Sequence, residues 1–216
     1  MYRSIRCLII VSPVASVLLV LFGCFDVGNN FSSGTVTDTR DGQTYKTVRV
    51  GSQTWMAQNL NYHLQIGNSW CRNDNNSSCD KYGRLYDWNT AMNACPAGWH
   101  LSTSQEWNAL VNAVGGQKVA GKKLKSKGSW DNSSGEGAQS GGGDDDYGFS
   151  ALPNGYRWYY YDGSFYRVGQ LGFWWTATEG THNYAYNRVM YYGDNYVSKS
   201  EDNKNYGFSV RCVKNK

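Results

Sequence analysis

The chain has 216 residues, a formal net charge of +4 and an aromatic content of 15%. That length suits one ordinary domain plus an appendage, and the aromatic content excludes a disordered chain because each aromatic ring can bury a large apolar area. The small and scattered positive charge excludes a nucleic-acid-binding surface, so no nucleic-acid partner is expected.

The N-terminus has the pattern of a bacterial export signal. A short positive leader precedes the apolar run of residues 7–22, which is shorter than the roughly 20 residues of a membrane-spanning helix. The run ends in Leu21-Phe22-Gly23-Cys24, which resembles a lipobox. We therefore expect residues 1–23 to be a lipoprotein signal peptide and acyl chains on Cys24 to anchor the exported protein in the cell envelope, at the outer membrane. An ordinary signal peptide cut elsewhere and an uncleaved anchor helix are the alternatives.

A tether and a hairpin are predicted next. Residues 24–34 are polar and rich in Gly and Ser, which is typical of a flexible linker, and residues 35–216 are predicted to form the domain. The domain begins with alternating apolar and polar residues around two turn signals, which predict a β-hairpin or meander. Its expected inward side chains are Tyr45, Val48, Val50 and Trp55.

Two helices are predicted in the middle of the chain. The first follows from a near-helical spacing of Leu85, Trp88, Met92 and Cys95. The second has one apolar face at i, i+3, i+4 and i+7 and ends at a pair of glycines. That face consists of Trp107, Leu110, Val111 and Val114.

The stretch CPAGWHLSTSQEWNAL, residues 95–110, raises the question of a catalytic site because it combines a cysteine, a histidine, hydroxyls and a glutamate. A folding role accounts for it better. Thr103 followed by Glu106 fits a capping box at the start of the second helix, and Ser102 with Gln105 is the alternative register. No GxSxG or HExxH pattern occurs, so we assign no catalytic residue.

The rest of the chain predicts an exposed loop and then strands. Residues 131–146 are of low complexity and acidic at their end, which is typical of a loop. From Tyr147 onward, short aromatic-rich segments alternate with turn signals and predict antiparallel strands. The order of elements predicts an α+β fold with two helices packed on short antiparallel strands.

Four cysteines remain once Cys7 is removed with the signal and Cys24 carries lipid. In an exported chain they predict two disulfides, for which three pairings are open. The short CRNDNNSSC loop favours one between Cys71 and Cys79, which leaves Cys95 and Cys212 for the other. A zinc site is the alternative, but the chain contains no CxxC motif.

Three consecutive acidic residues are the candidate metal ligands. Asp144, Asp145 and Asp146 offer clustered oxygen atoms that suit calcium, the one candidate cofactor. Calcium prefers six to eight oxygens from several segments, and a run of three acids is more often a solvated loop.

The segment YRWYYYDGSFYR, residues 156–167, is the candidate binding surface. Side chains alternate between the two faces of a strand, so Trp158 and Tyr160 are expected on one face and Tyr159 and Tyr161 on the other, and two of these rings should be exposed. Exposed Tyr and Trp can stack on sugar rings or anchor a protein. Trp175 is expected to point inward and Trp174 outward. The candidate binding residues are Trp158, Tyr159, Tyr160, Tyr161 and Trp174.

Several phrases, in order, resemble the Fibrobacter succinogenes major paralogous domain. They include DTRDGQTYKTVRVGSQTWMAQNLNY, CDKYGRLYDW, CPAGWHLSTSQEW, YGFSALPNGY, WTATE and NYGFSVRCVK, and the resemblance spans about residues 35–214. The resemblance implies an exported or lipid-anchored bacterial protein. That family is in turn similar to the C-type-lectin-like superfold, which includes formylglycine-generating enzymes, so a disulfide-stabilised domain of that kind is expected.

The comparison with formylglycine-generating enzymes can be tested on the cysteines. The resemblance implies that such enzymes use two cysteines of the C-terminal half for copper-dependent oxidation. Cys212 is the only cysteine in that half of this chain, so this activity is not expected.

The preferred hypothesis is a lipid-anchored envelope protein that displays a non-catalytic binding or adhesion domain toward polysaccharide or surface partners. A structural subunit of an envelope assembly, with no small-ligand site, is the alternative. An enzyme of the formylglycine-generating type is the third and weakest hypothesis.

Overall fold

A computed structural model describes residues 5–10, 21–26, 32–131, 141–160 and 163–216, the first two ranges as backbone only. The chain forms two compact units, residues 1–30 and 31–216. In the first unit, β1 (Ile5–Ile10) pairs antiparallel with β2 (Leu21–Asp26), which contains Cys24. In the described parts of the chain, no helix is both long enough and apolar enough to span a membrane.

A five-stranded sheet joins the two ends of the second unit. Its spatial order is β3, β4, β5, β14 and β8, and every pairing is antiparallel. The last strand therefore lies between a strand from the start of the domain and one from its middle. The strands are β3 (Ser33–Thr37), β4 (Thr44–Val50), β5 (Gln53–Met56), β8 (Trp99–Leu101) and β14 (Cys212–Lys214).

The predicted N-terminal meander is confirmed. Gly42 and Gly51, both with positive φ, lie in its two turns. The four side chains predicted to face inward are all buried. Ser33 and Gly34, just before the predicted start of the domain near residue 35, also pair with β4.

The second unit also contains a three-stranded sheet and two small ribbons. The sheet has the order β11, β12, β13, with strands Leu171–Glu179, Tyr184–Tyr191 and Ser198–Asn203. One ribbon joins β6 (Ser69–Trp70) to β7 (Leu85–Tyr86). The other joins β9 (Tyr156–Arg157) to β10 (Phe165–Tyr166).

The α+β class is confirmed, but the prediction of two helices is wrong. The described residues contain α1 (Asn76–Tyr82), α2 (Trp88–Ala91), α3 (Ser104–Ala113) and α4 (Gln117–Leu124). The predicted first helix is only the four residues of α2, because Leu85 belongs to β7. A Cβ on Gly121 would lie 2.5 Å from the Tyr196 carbonyl oxygen, so this glycine lets α4 pack closely.

Strand β11 lies between two hydrophobic cores, which corrects one predicted site residue. Trp174 belongs to the core around Trp55 and Trp107, and Trp175 belongs to the core around Tyr86 and Phe208. Both tryptophans are fully buried. The expectation that Trp174 is exposed is therefore wrong, because alternation exposes one side of a strand only where nothing covers that face.

Both predicted disulfides are confirmed. Cys71 is bonded to Cys79 and Cys95 to Cys212, with sequence separations of 8 and 117 residues. The second bond connects the segment before β8 to β14, which pairs with β8. In the loop-entropy description, closing so long a loop stabilises the fold by about 5 kcal/mol.

An arginine that the sequence does not single out lies in the interior. Arg211 is fully buried and donates to the Asn59 side chain at 2.7 Å and to the carbonyls of Met56, Phe149 and Ser150 at 2.6–3.1 Å. Burial lowers the pKa of Arg211 to about 9, so the guanidinium stays charged at neutral pH. Its four acceptors satisfy that buried charge.

Candidate functional site

The polar residues of segment 95–110 are used in folding contacts. Thr103 caps α3 by accepting from the Glu106 backbone at 3.1 Å, and Glu106 accepts from the Thr103 backbone at 2.8 Å. This is the predicted capping box, in the preferred register. Ser102 accepts from the buried Trp107 indole at 2.9 Å instead of capping the helix.

His100 supports the same helix start. Its Nε2 lies 2.8 Å from Glu106 Oε1, and its Nδ1 lies 2.7 Å from Asn215 Oδ1. Burial raises the pKa of Glu106, but hydrogen bonds from Thr103 and His100 outweigh it, so the pKa lies below its ordinary value. The imidazole therefore links the end of the chain to the cap of α3.

The three predicted calcium ligands contact different partners. Asp144 lies 3.6 Å from the Lys122 ammonium, and Asp145 accepts from the Ser150 backbone and hydroxyl at 2.7 and 2.6 Å. The Asp146 backbone donates to the carbonyl of Lys123. Among the described residues, no group of three His, Cys, Asp or Glu side chains is arranged to hold a metal ion.

The predicted aromatic segment contains a ribbon of only two residues per strand. Trp158 still contacts Tyr156, as alternation predicts, but Tyr159 does not turn to the opposite face, so the prediction that Trp158 and Tyr159 face opposite sides is wrong. Both rings contact the Tyr206 ring, at centroid distances of 5.6 and 5.0 Å. Tyr160 is 56% exposed, as expected, whereas Tyr161 lies outside the described residues.

Six aromatic side chains form one partly exposed cluster, which we call the aromatic surface. Tyr156 stacks on Tyr166 at 5.7 Å, across the β9–β10 ribbon, and also contacts Tyr206 at 5.9 Å. Each ring therefore supports its neighbours while keeping part of its area in solvent. The members are Tyr156, Trp158, Tyr159, Tyr160, Tyr166 and Tyr206.

A cavity of about 210 Å³ opens beside the aromatic surface, and we call it the Tyr206 cavity. Its apolar lining consists of four aromatic rings and one leucine, and its charged lining consists of Arg167 and Asp202. The rings come from β9, β11 and the segment before β14. The apolar residues are Tyr156, Leu171, Phe173, Tyr206 and Phe208.

The surroundings of the cavity raise the pKa of its two phenols. Burial raises the pKa of Tyr156, against a lowering effect of Arg167, and burial and Asp202 raise the pKa of Tyr206. Asp202 is oriented by Asn187, whose amide donates to it at 2.8 Å, and by the Ser200 hydroxyl at 3.1 Å. The cavity thus presents two phenol hydroxyls, a carboxylate and a guanidinium around apolar rings.

A second cleft of about 570 Å³ lies on the other face of the β9–β10 ribbon. Arg157 and Phe165 are cross-strand partners and both line it, together with Trp70. The Arg157 guanidinium lies 4.1 Å above the Trp70 ring, so this tryptophan face is already covered. In the described part of the chain, the aromatic rings beside the Tyr206 cavity are not covered in this way. We therefore take the Tyr206 cavity, and not this cleft, as the candidate site.

Sequence reasoning found part of this site. Tyr156, Tyr166 and Arg167 lie inside the predicted segment 156–167 but were not singled out as ligand contacts. Tyr206 belongs to a YGFS phrase that recurs at residues 147–150, which is a packing signal. The sequence around Asp202 does not identify it as a site residue, because only the pairing of β13 with β12 brings it to the cavity.

Comparison with known proteins identifies a family. Residues 48–214 match the family described as the Fibrobacter succinogenes major domain. No curated protein matches the chain, and no solved structure matches it. The matched segment covers most of the chain and contains both disulfides, all four helices and the residues of the Tyr206 cavity. The chain therefore belongs to the Fibrobacter succinogenes major domain family.

Proposed function

We propose that this protein is a lipid-anchored component of the bacterial cell envelope whose aromatic surface binds carbohydrate without catalysis. The observation that carries the proposal is the cluster of partly exposed rings beside the Tyr206 cavity, with Arg167 and Asp202 at the same place. A sugar ring presents apolar C–H faces and a rim of hydroxyls. Aromatic rings suit the faces, and charged or phenolic groups suit the rim.

The anchor is supported by the sequence. The positive leader, the apolar run of residues 7–22 and the Gly23-Cys24 pair form the lipoprotein pattern. Several acyl chains on one cysteine would hold the protein stably at the outer membrane, where a single chain binds only reversibly.

The non-catalytic part of the proposal is supported by where the reactive groups lie. The hydroxyls, histidine and glutamate of segment 95–110 are engaged in helix capping and core contacts. All four cysteines of the domain are in disulfides, so the pair of thiols that a formylglycine-generating reaction would use is absent from it.

The C-type-lectin-like arrangement remains part of the proposal. It is supported by the antiparallel pairing of β14 with β5 and β8, which brings both ends of the domain into one sheet. The Cys95–Cys212 disulfide reinforces that closure.

A polysaccharide-binding assay tests the function. The full chain is applied to a glycan array and to insoluble polysaccharides, with calcium and with a chelator, so that the same assay tests the Asp144–Asp146 calcium proposal. We expect Trp158→Ala and Tyr159→Ala to weaken binding at least tenfold, because stacking residues dominate such contacts. Tyr196→Ala is the matched control, since Tyr196 is 42% exposed and lies outside the aromatic surface.

The same assay decides between the two main hypotheses. Retained binding in both aromatic variants would contradict the assignment of the site. Absence of binding to every glycan would instead favour the alternative, a structural subunit of an envelope assembly.

Mass spectrometry tests the anchor: we expect an acylated N-terminal Cys24, and an unmodified N-terminus at another residue would contradict it.

A further inference from the structure

We propose that the Tyr206 cavity binds a single sugar unit that carries a carboxylate, of the hexuronic acid class, and that Arg167 binds the carboxylate. The inference rests on the proposed carbohydrate-binding function and specifies its substrate class. Three features of the cavity support it: its size, the backbone at Arg167 and the distribution of charge.

The size of the cavity suits a ligand with a single sugar ring. Its volume of about 210 Å³ lies below the roughly 300 Å³ at which pockets for drug-sized ligands begin. Phe208 is buried, whereas Tyr156, Phe173 and Tyr206 are only partly buried. The cavity therefore suits one pyranose unit, at the end or on a branch of a glycan, whose apolar face contacts these rings.

The backbone at Arg167 has a conformation that favours glycine, although an arginine stands there. Arg167 follows β10 directly and has a φ of +61°, a conformation that glycine adopts without strain and arginine does not. Its carbonyl accepts from the amides of Gln170 and Leu171 at 3.0 and 2.9 Å, which fixes the turn. Such strain at a non-glycine residue is typical of functional positions.

The side chain of Arg167 is positioned, and it forms no ion pair with another of the residues that the structure describes. Its Nη1 donates to Gln170 Oε1 at 3.0 Å, a neutral partner. Among the described residues, the carboxylates within 4.0 Å of a cation belong to other pairs, such as Asp38 with Arg40 and Asp144 with Lys122. The guanidinium can therefore pair with a ligand carboxylate, for which its planar fork is well suited.

Asp202 completes the charge pattern of the cavity. Its Oδ2 accepts from Asn187 and Ser200, which orient the carboxylate beside Tyr206. As an acceptor, it suits sugar hydroxyls. A ligand with one acidic group and several hydroxyls thus matches both charged residues.

Paired titrations of the full chain in detergent test the inference. Methyl glycosides of glucuronic, galacturonic and mannuronic acid are compared with the corresponding neutral hexosides by protein-observed NMR. We expect at least one acid to bind about tenfold or more tightly than its neutral partner, and this preference to shrink as salt is added.

Three variants assign the preference to Arg167. Arg167→Gly suits the left-handed backbone, so it removes the guanidinium without straining the fold, and we expect it to abolish the preference for the acid. Arg167→Lys keeps the charge and should retain part of the preference. Arg49→Gln is the matched control, because Arg49 is an exposed arginine on β4 that donates to a neutral carbonyl.

The outcomes separate the inference from the function on which it rests. Equal affinity for acids and neutral sugars, unchanged in Arg167→Gly, would overturn the acidic substrate class and leave carbohydrate binding standing. Absence of binding by every acid and hexoside here, together with a negative glycan array, would overturn both.

Discussion

Segment 95–110 and the aromatic surface both concentrate groups that could bind or react, yet they differ in what those groups contact. In segment 95–110, Thr103, Glu106 and His100 contact one another or the backbone around the start of α3. In the aromatic surface, rings such as Tyr160 and Tyr166 contact other rings and remain 56% and 45% exposed.

The comparison teaches that the density of functional groups is a weak sign of a site. Polar groups that satisfy each other contribute to folding and have little capacity left for a ligand. Exposed rings beside a cavity, together with an arginine that has no carboxylate partner in the described part of the chain, keep that capacity. The following changes should therefore affect stability in the first region and binding in the second.

The largest effect is expected from the disulfide that begins the first region. Replacing Cys95 and Cys212 together by Ser should lower the free energy of unfolding by about 5 kcal/mol, because the bond closes a long loop. The same change at Cys71 and Cys79 should cost about 2.5 kcal/mol, because that loop is short. Urea unfolding measures both, and equal losses would contradict the loop-length explanation.

Two tryptophans provide the next contrast. Trp107 is fully buried against Trp55 and Phe149, so Trp107→Ala should lower the free energy of unfolding by about 3–5 kcal/mol. Trp158 is only half-buried, and Trp158→Ala should cost about 1 kcal/mol. Thermal and urea unfolding compare the two, and a larger loss in Trp158→Ala would mean that the aromatic surface is mainly structural.

A smaller effect should depend on pH. Because its hydrogen bonds lower the pKa of Glu106 in the folded state, this residue stabilises the fold above its ordinary pKa of 4.5, and that contribution is lost as pH falls through the folded pKa. Glu106→Gln should therefore lower the free energy of unfolding by about 1 kcal/mol at about pH 7 and by less at about pH 3. Urea unfolding at both pH values measures this, and a pH-independent difference would contradict it.

Apart from the Cys95–Cys212 disulfide, the sequence predicts local interactions better than long-range ones. The capping box of α3 could be predicted because Thr103 and Glu106 lie three residues apart and interact directly. The burial of Trp174 could not, because it depends on a second core that covers the outer face of β11. Helix α4 was missed because Gly121 weakens its local signal, although that glycine permits its close packing.

The candidate site shows the same limit. Its aromatic composition is visible in residues 156–167, but its geometry depends on the register of β9 with β10 and of β12 with β13. The rule of alternating faces fails at Tyr159, which lies beyond the end of β9 at Arg157. Asp202 and Tyr206 come from distant segments, so their proximity to Arg167 is a property of the fold.

A crossed comparison of Thr103→Ala and Trp158→Ala tests the central claim most directly, with glycan binding and unfolding measured on the same preparations. We expect Thr103→Ala to lose about 1 kcal/mol of stability and to bind as the unmodified protein does. We expect Trp158→Ala to bind at least tenfold more weakly. Full binding by Trp158→Ala would contradict the assignment of the aromatic surface as the binding site.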